Sequence, residues 1–414
     1  MKSINNVGFT INNPFTALKH KSFRYYWFGM CISTTGSWMQ NIAQPWLAYQ
    51  LTNSAFKLSL IGALQFTPVL LFSLFAGVFV DRLPKKKILM FTQSALLLIT
   101  MALAILVFTG KIQYWHILIT ASLMGLTNAL DMPTRQTFVV ELVGKDDLMN
   151  AIALNAAVFN VSRIIGPAIA GIVMGSFGAA FCFLGNSLSF GAVLISLFFI
   201  KPIVIEKPPR KAESIFKTIM EGLKYIYSKE ILFSTLLVMA VVGTFAQNFS
   251  VLVPVFAVQI LHQKETGFGL LMSLIGAGSL TGAMLMATIS RSGPKRFILY
   301  IVPLLIGASL ILVGSSRIYL LTGAALAVTG FFLITFTSSA NSTMQLNTSS
   351  EYLGRVMSVY SLVFAGSTPL GNLYAGSIAN RFNAGIGFIA CGGIIIVLMI
   401  PVYFYLIRKA RQNI

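Results

Sequence analysis

Two ionisable residues inside long apolar segments carry the strongest chemical signal in this sequence. Asp131 and Arg163 lie deep in neighbouring hydrophobic segments, and Arg135 stands one helical turn after Asp131. A charged side chain at the centre of a membrane-spanning helix costs about 2.5–3.5 kcal/mol or more, so such residues usually serve a function. Asp131 either forms an ion pair with Arg163 or Arg135 that fixes helix packing, or it also takes up and releases a proton.

A second signal is a cluster of charged residues between two apolar segments. The cluster consists of Gly77, Asp81, Arg82, Lys85, Lys86 and Lys87, and Pro84 interrupts it. Its single carboxylate, Asp81, is suited to accept hydrogen bonds from the N-terminus of another helix, where the helix dipole favours an anion. Such a contact would act as a gate latch. The alternative is an ordinary solvated helix end.

Uncharged amide side chains form a third group within the apolar segments. They are Gln40, Asn41 and Gln44 in the first segment, Gln247 and Asn248 in the seventh, and Asn128, Asn155 and Asn160 between them. Amides in spanning helices commonly hydrogen-bond to neighbouring helices. The alternative is that they line a cavity, where their donors and acceptors suit an uncharged or amphipathic compound.

Small and helix-bending residues form a fourth group. They are Gly166, Pro167 and Gly171 in the fifth apolar segment, and Pro369, Gly371 and Gly376 in the eleventh. Such residues let helices approach one another closely and bend. They indicate either tight packing alone or a pliable interface between helices.

Several kinds of chemistry are not indicated by the sequence. His20, His116 and His262 are far apart, so no metal site is predicted, and no Gly-Lys-Ser or Gly-Lys-Thr phosphate loop is present. No set of nucleophile, base and acid stands out among the apolar segments. We therefore expect no enzymatic activity and no cofactor.

The segments that position these residues are long enough to cross a membrane. The chain has 414 residues, of which 56% are hydrophobic and 10% are charged, too few charges for a surface that faces water. A spanning helix needs about 20 apolar residues. Since the apolar segments show no alternating period, helices are favoured over a barrel. Twelve spans are predicted, at roughly 24–49, 56–80, 88–109, 115–138, 152–174, 177–200, 232–260, 268–290, 297–315, 318–340, 355–380 and 385–407.

The longest polar gap divides these spans into two sets of six. We predict an N-terminal six-helix bundle at 1–200, a linker at 201–231 and a C-terminal six-helix bundle at 232–414. Apolar residues recur at helical spacing in the second part of the linker. This pattern predicts an amphipathic helix that lies on the membrane surface.

The positive residues are distributed very unevenly between the gaps. On the side of the termini and the linker lie 24 of the 30 Lys and Arg, and five lie on the other side. Positive residues are retained on the cytoplasmic side, so both termini are expected to be cytoplasmic. The net charge of +19 is therefore a signal of topology, and no nucleic-acid partner is expected.

The two sets of spans resemble each other in sequence. Ser59 to Ala63 reads Ser-Leu-Ile-Gly-Ala and recurs at Ser273 to Ala277, in spans two and eight. Three further matches are Gly36, Gln40 and Asn41 with Gly243, Gln247 and Asn248; Gly166, Ala170 and Gly171 with Gly371, Ala375 and Gly376; and Arg82 to Lys86 with Arg291 to Arg296. Two parallel halves joined by a basic linker is the architecture of major facilitator transporters.

Individual motifs also resemble that superfamily. The cluster from Gly77 to Lys87 is similar to its loop signature between helices two and three, with Leu83-Pro84 where a residue and a glycine are usual. The segment from Arg163 to Gly171 resembles the Gly-Pro signature of its drug antiporters. The segments Asp131 to Gln136 and Gly366 to Gly376 resemble the branch of siderophore and macrolide exporters, the transmembrane secretion effectors.

The resemblance implies a fold, a partner for the latch and an activity. It implies an all-α polytopic membrane protein with twelve helices in two pseudo-symmetric bundles. The helix that would meet Asp81 is span eleven, which begins near Arg355. We expect a monomer in the bacterial inner membrane that exchanges protons for a small amphipathic substrate, siderophore-like or drug-like, and exports it by alternating access, surrounded by membrane lipid. Uptake of a nutrient or siderophore, and a sensor or assembly role without flux, are the alternatives.

Overall fold

The described part of the chain consists of helices and short connections and contains no strand. The computed structural model describes the backbone of residues 15–201, 215–289 and 296–412. The side chains of these residues are described except at 73–79, 81–82, 215–217, 289, 296 and 403–412. The predicted all-α class is confirmed.

Fourteen α-helices follow one another in the described ranges. The first half contains α1 (Lys21–Thr52), α2 (Ala55–Arg82), α3 (Lys85–Phe108), α4 (Tyr114–Val143), α5 (Leu148–Phe177) and α6 (Ala179–Phe199). A linker helix follows, α7 (Ile215–Ser228). The second half contains α8 (Glu230–Ala246), α9 (Phe249–Gln259), α10 (Glu265–Ile289), α11 (Arg296–Ser315), α12 (Tyr319–Leu346), α13 (Leu353–Arg381) and α14 (Ala384–Gln412).

Apart from α7, these helices make twelve passes along the bundle. The seventh pass differs from its prediction, because it is two helices, α8 and α9, that are separated at Gln247 and Asn248. Counting α8 and α9 as one segment, nine of the described segments are long and apolar enough to cross a membrane. The remaining passes, α1, α4 and α13, are not among these segments.

Short connections end the helices at residues suited to turns. Pro84 precedes the first residue of α3, with φ −59° and ψ 116°, so only Leu83 and Pro84 separate α2 from α3. Gly144 ends α4 with φ 71° and Gly178 ends α5 with φ 90°, conformations that favour glycine. We call the end of the bundle that carries Pro84, Gly144 and α7 the linker end, and the opposite end the distal end.

Equivalent helices pack alike in the two halves. α2 packs on α4 as α10 packs on α12, and α3 packs on α6 as α11 packs on α14. The halves meet mainly through two contacts, α2 on α13 and α5 on α10. Since α2 is equivalent to α10 and α5 to α13, these are two copies of one contact.

The linker helix packs on the second half rather than lying free. The Glu221 carboxylate binds the Arg355 guanidinium at 3.0 Å, and the ring of Tyr225 stacks on that of Tyr352 with centroids 4.5 Å apart. Lys229 donates a 3.0 Å hydrogen bond to the Asn347 carbonyl. Asn347 and Tyr352 lie in the connection between α12 and α13, and Arg355 lies in the first turn of α13.

The segment before α1 makes a similar contact in the first half. A turn of 3-10 helix at Thr16–Lys19 precedes α1, and the Ala17 amide donates to the Asn150 side-chain oxygen at 2.9 Å. His20 lies 2.7 Å from the Asp147 carboxylate. Hydrogen bonds from His20 and Thr16 lower the pKa of Asp147 below its ordinary value. Asp147 directly precedes α5, and Asn150 lies in the first turn of α5.

Candidate functional site

The Asp131 carboxylate is the centre of a buried hydrogen-bond network in the first half. Its side chain is 2% exposed. Its Oδ1 accepts hydrogen bonds from Thr92 Oγ1 at 2.6 Å and from Gln93 Nε2 at 2.8 Å. Its Oδ2 accepts a hydrogen bond from Arg135 Nε. One carboxylate therefore ties α4 to α3, and its ion-pair partner is one turn along the same helix.

Arg163 is not the partner of Asp131 in this structure, which corrects the ion pair between α4 and α5 considered from the sequence. Asp131 faces α3, whereas α5 packs mainly on α1 and α10. Counting residues from the helix ends placed Asp131 and Arg163 at a similar depth in the membrane. It could not show that α1 lies between their two helices. Arg135, the alternative partner, makes the contact and also reaches the Met30 sulfur of α1 at 2.8 Å.

Arg163 instead projects towards the middle of the molecule. On α5, Ser162 and Gly166 contact α1, while Pro167 and Gly171 contact α10. At about 100° per residue, Arg163 points between these two directions. The side of α5 opposite Arg163 carries the exposed apolar residues Val161, Ile165 and Ile172.

The Arg163 guanidinium has an aromatic neighbour but no carboxylate partner among the described side chains. Its Cζ lies 6.0 Å from the ring centroid of Trp38 on α1. Such a contact contributes about 0.5–2 kcal/mol, whereas an arginine at this depth costs about 2.5–3.5 kcal/mol or more. Trp38 therefore offsets only part of the cost of placing this charge inside the bundle.

Gln40 does not face the centre, which corrects its predicted contact with substrate. Its side chain is 1% exposed. Its Oε1 accepts hydrogen bonds from Asn186 of α6 at 2.5 Å and Thr100 of α3 at 3.3 Å, and its Nε2 lies 3.0 Å from the Met124 sulfur of α4. Gln40 therefore joins four helices of the first half. Gln44, one turn further, is also buried, at 4% exposure.

Asn41 points in a different direction from Gln40. It is exposed, and at about 100° per residue it lies between the side of α1 that meets α4 and the side that meets α5. That direction is the one towards which Arg163 projects. Asn128, Asn155 and Asn160 are half-buried, and Asn160 donates to the Ala156 carbonyl at 2.8 Å.

The second pair of amides lies at the break between α8 and α9. Gln247 is half-buried. Asn248 is 2% exposed, and its Nδ2 donates to the Thr244 carbonyl at 2.9 Å. Asn248 thus faces its own half, as Gln40 does. The twin amide surface predicted from Gln40 and Gln247 is not formed in this structure, because Gln40 is enclosed.

Two lysines of the charged cluster bind within the first half. Lys85 Nζ lies 2.6 Å from the Glu141 carboxylate at the end of α4. Lys86 Nζ donates a 2.9 Å hydrogen bond to the carbonyl of Ile200, just after α6. The structure does not describe the side chains at 73–79 and 81–82, which include Gly77, Asp81 and Arg82. The latch prediction therefore concerns residues that the description does not cover.

The small residues form two sets of equivalent contacts. A methyl group at Gly166 would meet Trp38 of α1, and one at Gly371 would meet the Thr244 carbonyl of α8. Each glycine thus packs on the first pass of its own half. Gly171 instead packs on Gly269 of α10, where a methyl group added to Gly171 would lie 3.1 Å from the Gly269 Cα. Pro167 and Pro369 are both buried inside their helices.

The repeated serine and glycine residues lie at the contacts between halves. Ser273 donates to the Ile164 carbonyl at 2.8 Å, and a methyl group at Gly276 would lie 2.7 Å from the Arg163 carbonyl. Their repeat partner Ser59 would meet a methyl group at Gly376. The sequence repeat therefore marks the surface through which the halves touch.

Polar residues also join the halves near the distal end. Glu265 accepts hydrogen bonds from Trp46 Nε1 and Gln50 Nε2, both at 3.2 Å. Ser54 donates to the Asn380 side-chain oxygen at 2.8 Å. Glu265 was not singled out from the sequence, although it is a lone acid next to a predicted span. Thr92, Gln93 and Asn186 were also missed, and isolated amides in apolar segments are the signal that would have found Gln93 and Asn186.

Comparison with known families decides the identity of this helical bundle. Residues 12–413 match the model of a family described as transmembrane secretion effector. The chain belongs to the transmembrane secretion effector family. The match covers nearly the whole sequence, and relatives in this family are transporters of the major facilitator superfamily. The superfamily predicted from the motifs is confirmed, and the protein is an integral membrane transporter.

Named relatives resemble this transmembrane secretion effector along most of their length. The staphyloferrin A transporter of Staphylococcus aureus is 25% identical, over 94% of this chain and 97% of its own. The multidrug efflux pump Tap of Mycolicibacterium fortuitum is 25% identical, over 88% and 90%. Macrolide efflux protein A of Streptococcus pyogenes is 23% identical, over 91% and 94%.

Solved structures show the same fold at low sequence identity. A bacterial homologue of the human lysosomal transporter Spinster, in an inward-facing and unoccupied conformation, matches with a TM-score of 0.76 at 11% identity, over 95% of this chain and 98% of its own. The nucleoside transporter NupG matches with a TM-score of 0.67, also at 11% identity, over 94% and 98%. The predicted polytopic architecture is confirmed.

Proposed function

We propose that this transporter exports a small amphipathic compound, siderophore-like or drug-like, in exchange for protons. The substrate class is supported by three relatives, whose names refer to staphyloferrin A, to multiple drugs and to macrolides. Export is supported by the two relatives named as efflux proteins. The Asp131 site supports proton coupling.

Asp131 carries the proposal of proton exchange. It is the one carboxylate that the sequence places deep inside a predicted membrane span. All three of its described contacts are with hydrogen-bond donors, namely Thr92, Gln93 and Arg135. A protonated Asp131 would place a donor against these donors, so protonation would rearrange the contact between α3 and α4. That is a means of linking a proton to a change of conformation.

The two equivalent contacts between the halves support alternating access. We propose that 1–200 and 232–414 rock against each other, with the 201–231 linker between them, around the α2–α13 and α5–α10 contacts. The positive residues favour a cytoplasmic linker end, with both termini on that side. A monomer is sufficient for this mechanism, since both halves belong to one chain.

Asp81 is the proposed latch at the linker end. Its position directly before the charged loop, and the N-terminus of α13 at Leu353, are the observations that support the contact. The Asp81→Asn variant should keep normal membrane expression and lose most of its transport. Transport at the wild-type rate by this variant would rule out the latch.

A ligand screen followed by a flux assay tests the function. Purified protein is first heated with siderophores, macrolides and cationic dyes to find compounds that raise its melting temperature. Each hit is then followed in proteoliposomes with an imposed pH gradient. We expect movement of the hit against its own gradient, driven by protons and lost when the gradient is dissipated. Flux that ignores the pH gradient, uptake in the proton direction, or no flux at all would contradict the proposal.

A further inference from the structure

We propose that Arg163 binds a carboxylate group of the transported molecule. This inference rests on the proposed transport function and specifies its substrate. The cation lies at mid-depth, because Arg163 is about 22 Å along α5 from its start at Leu148 at 1.5 Å per residue. It projects between α1 and α10, the helices of opposite halves that flank α5 on its inner side.

The chain offers Arg163 little choice of an internal counterion. Between Glu265 and Glu351 the sequence contains no Asp or Glu, and none follows Glu351. Both of these carboxylates lie at or beyond helix ends. In the first half, Asp131 is held by Arg135 and two further donors. A mobile anion from outside the chain is therefore the natural partner for this guanidinium.

The surroundings of Arg163 suit an aromatic or amphipathic anion. A guanidinium presents parallel N–H donors that match the two oxygens of a carboxylate. Trp38 covers one side of the group, and Phe159 packs against Trp38 with ring centroids 5.7 Å apart. Asn160 and Asn41 offer amide groups on neighbouring parts of the same inner surface.

The break in the seventh pass adds a second positive feature at a similar depth. The amides of Val251 and Leu252 both donate to the Asn248 carbonyl, so Asn248 begins a new helix, α9. The first N–H groups of any α-helix have no partner inside that helix. Gln247 lies about 26 Å along its pass from Glu230 at 1.5 Å per residue. Broken helices at mid-depth with free N-termini commonly face anionic groups of transported molecules.

A set of probes that share one ring system and differ in charge tests this inference by binding alone. The probes are 2-naphthoate, 2-naphthamide and 2-naphthylmethylammonium, which share one ring system and carry negative, zero and positive charge. Their dissociation constants are measured with purified protein in detergent, by melting temperature and tryptophan fluorescence. We expect naphthoate to bind at least about tenfold more tightly than naphthamide, which corresponds to about 1.4 kcal/mol. Equal binding of naphthoate and naphthamide would overturn the proposal.

Three variants assign the preference to Arg163. Arg163→Gln should lose the preference for naphthoate and keep its affinity for naphthamide, Arg163→Lys should keep much of it, and Arg163→Glu should prefer the ammonium probe. A preference for naphthoate that survives in Arg163→Gln would show that another group binds the anion. If that variant fails to fold, the Lys and Glu variants decide between the same outcomes.

A labelling experiment measures the same charge without any ligand. In a cysteine-free background, Asn160→Cys is treated with negatively and positively charged methanethiosulfonate reagents. Arg163 should raise the rate ratio in favour of the negative reagent, and Arg163→Gln should lower it. An unchanged ratio would contradict the inference. If naphthoate binds but no hit of the ligand screen shows proton-driven flux, the anion site is upheld and the proposed export is rejected. If only neutral hits show proton-driven flux, the proposed export is upheld and the anion site is rejected.

Discussion

At the scale of single residues, Asp131 and Arg163 are interior charges of the first half with different surroundings. Asp131 is surrounded by donors from α3 and α4, whereas Arg163 has an aromatic ring as its described neighbour. The enclosed carboxylate is suited to a proton, because a proton needs little space. The half-buried guanidinium, which has no carboxylate partner among the described side chains, is suited to a larger ligand.

The Asp131→Asn variant should be less stable and should lose its dependence on the pH gradient. An asparagine cannot balance the Arg135 charge, and leaving one member of a buried ion pair alone costs about 3–5 kcal/mol. Thermal unfolding measures the first effect and proteoliposome flux the second. The double variant Asp131→Asn/Arg135→Gln should recover stability without recovering coupling. Proton-driven flux by either variant would exclude Asp131 as the proton carrier.

Gln40 and Asn41 should behave as opposites although they are adjacent in sequence. Gln40→Ala should lower the melting temperature, since it leaves Asn186 and Thr100 without their acceptor, and removing one partner of a buried hydrogen bond costs about 1–3 kcal/mol. Asn41→Ala should leave the melting temperature nearly unchanged and weaken binding of a transported compound. Melting curves with and without ligand check both expectations. The reverse pattern would mean that Gln40 is the residue that contacts substrate.

At the scale of helices, the docked linker helix is held by aromatic and polar contacts. The Tyr225 hydroxyl lies 3.1 Å from the Ser349 amide, which donates to it, and the Lys229 ammonium lies 4.8 Å from the centroid of the Tyr225 ring. The interaction with Lys229, followed by those with Ser349, lowers the pKa of Tyr225 to about 8. The docked arrangement therefore favours the ionised phenol.

The lowered pKa predicts that Tyr225 ionises at a lower pH than an ordinary tyrosine. A group whose pKa falls on folding contributes stability above that lowered pKa, so docking of α7 should strengthen as the pH rises from about 8 to 10. Absorbance at 295 nm should show one of the 13 tyrosines titrating near pH 8. The phase should vanish in Tyr225→Phe and persist in Tyr227→Phe, since Tyr227 is 77% exposed on the same helix. A phase that survives in Tyr225→Phe would contradict the docking account.

The sequence predicted the surfaces where helices meet better than the directions of individual polar side chains. Ser59, Gly62 and their copies at Ser273 and Gly276 were recognisable because close contacts need small residues, which both halves retain. The direction of the Gln40 side chain could not be predicted. Apolar residues surround this span on all sides, so the sequence shows no polar face that would indicate which side of the helix points inwards. The position of Arg163 relative to Asp131 depended on α1, which lies between their helices and is distant in sequence.

At the scale of the whole molecule, the halves are joined by hydrogen bonds near the distal end. The described contacts there include Glu265 with Trp46 and Gln50, and Ser54 with Asn380. The stacked rings of Trp46 and Phe268, with centroids 5.3 Å apart, add an apolar contact. Alternating access requires these contacts to break and form again in each transport cycle.

A cross-link at the distal end should therefore stop transport. Ser54→Cys and Asn380→Cys are introduced together after Cys31, Cys182 and Cys391 are replaced, since all three are free thiols. Oxidation should join the pair and abolish flux, and a reducing agent should restore it. Each single variant under the same oxidant serves as the control. Full transport by the cross-linked protein would show that the distal contacts do not need to open.

The position of α7 has a consequence for how the chain arose. The segment before α1 contacts the start of α5 through Ala17 and His20. In the same way, α7 contacts the start of α13 through Glu221 and Tyr225. If the halves descend from a duplicated ancestral gene, each copy brought its own leader segment. The evolutionary junction then falls before Ile215 rather than at the first residue of α8. On that assumption, α7 is the first helix of the second half and not a tether added between two complete halves.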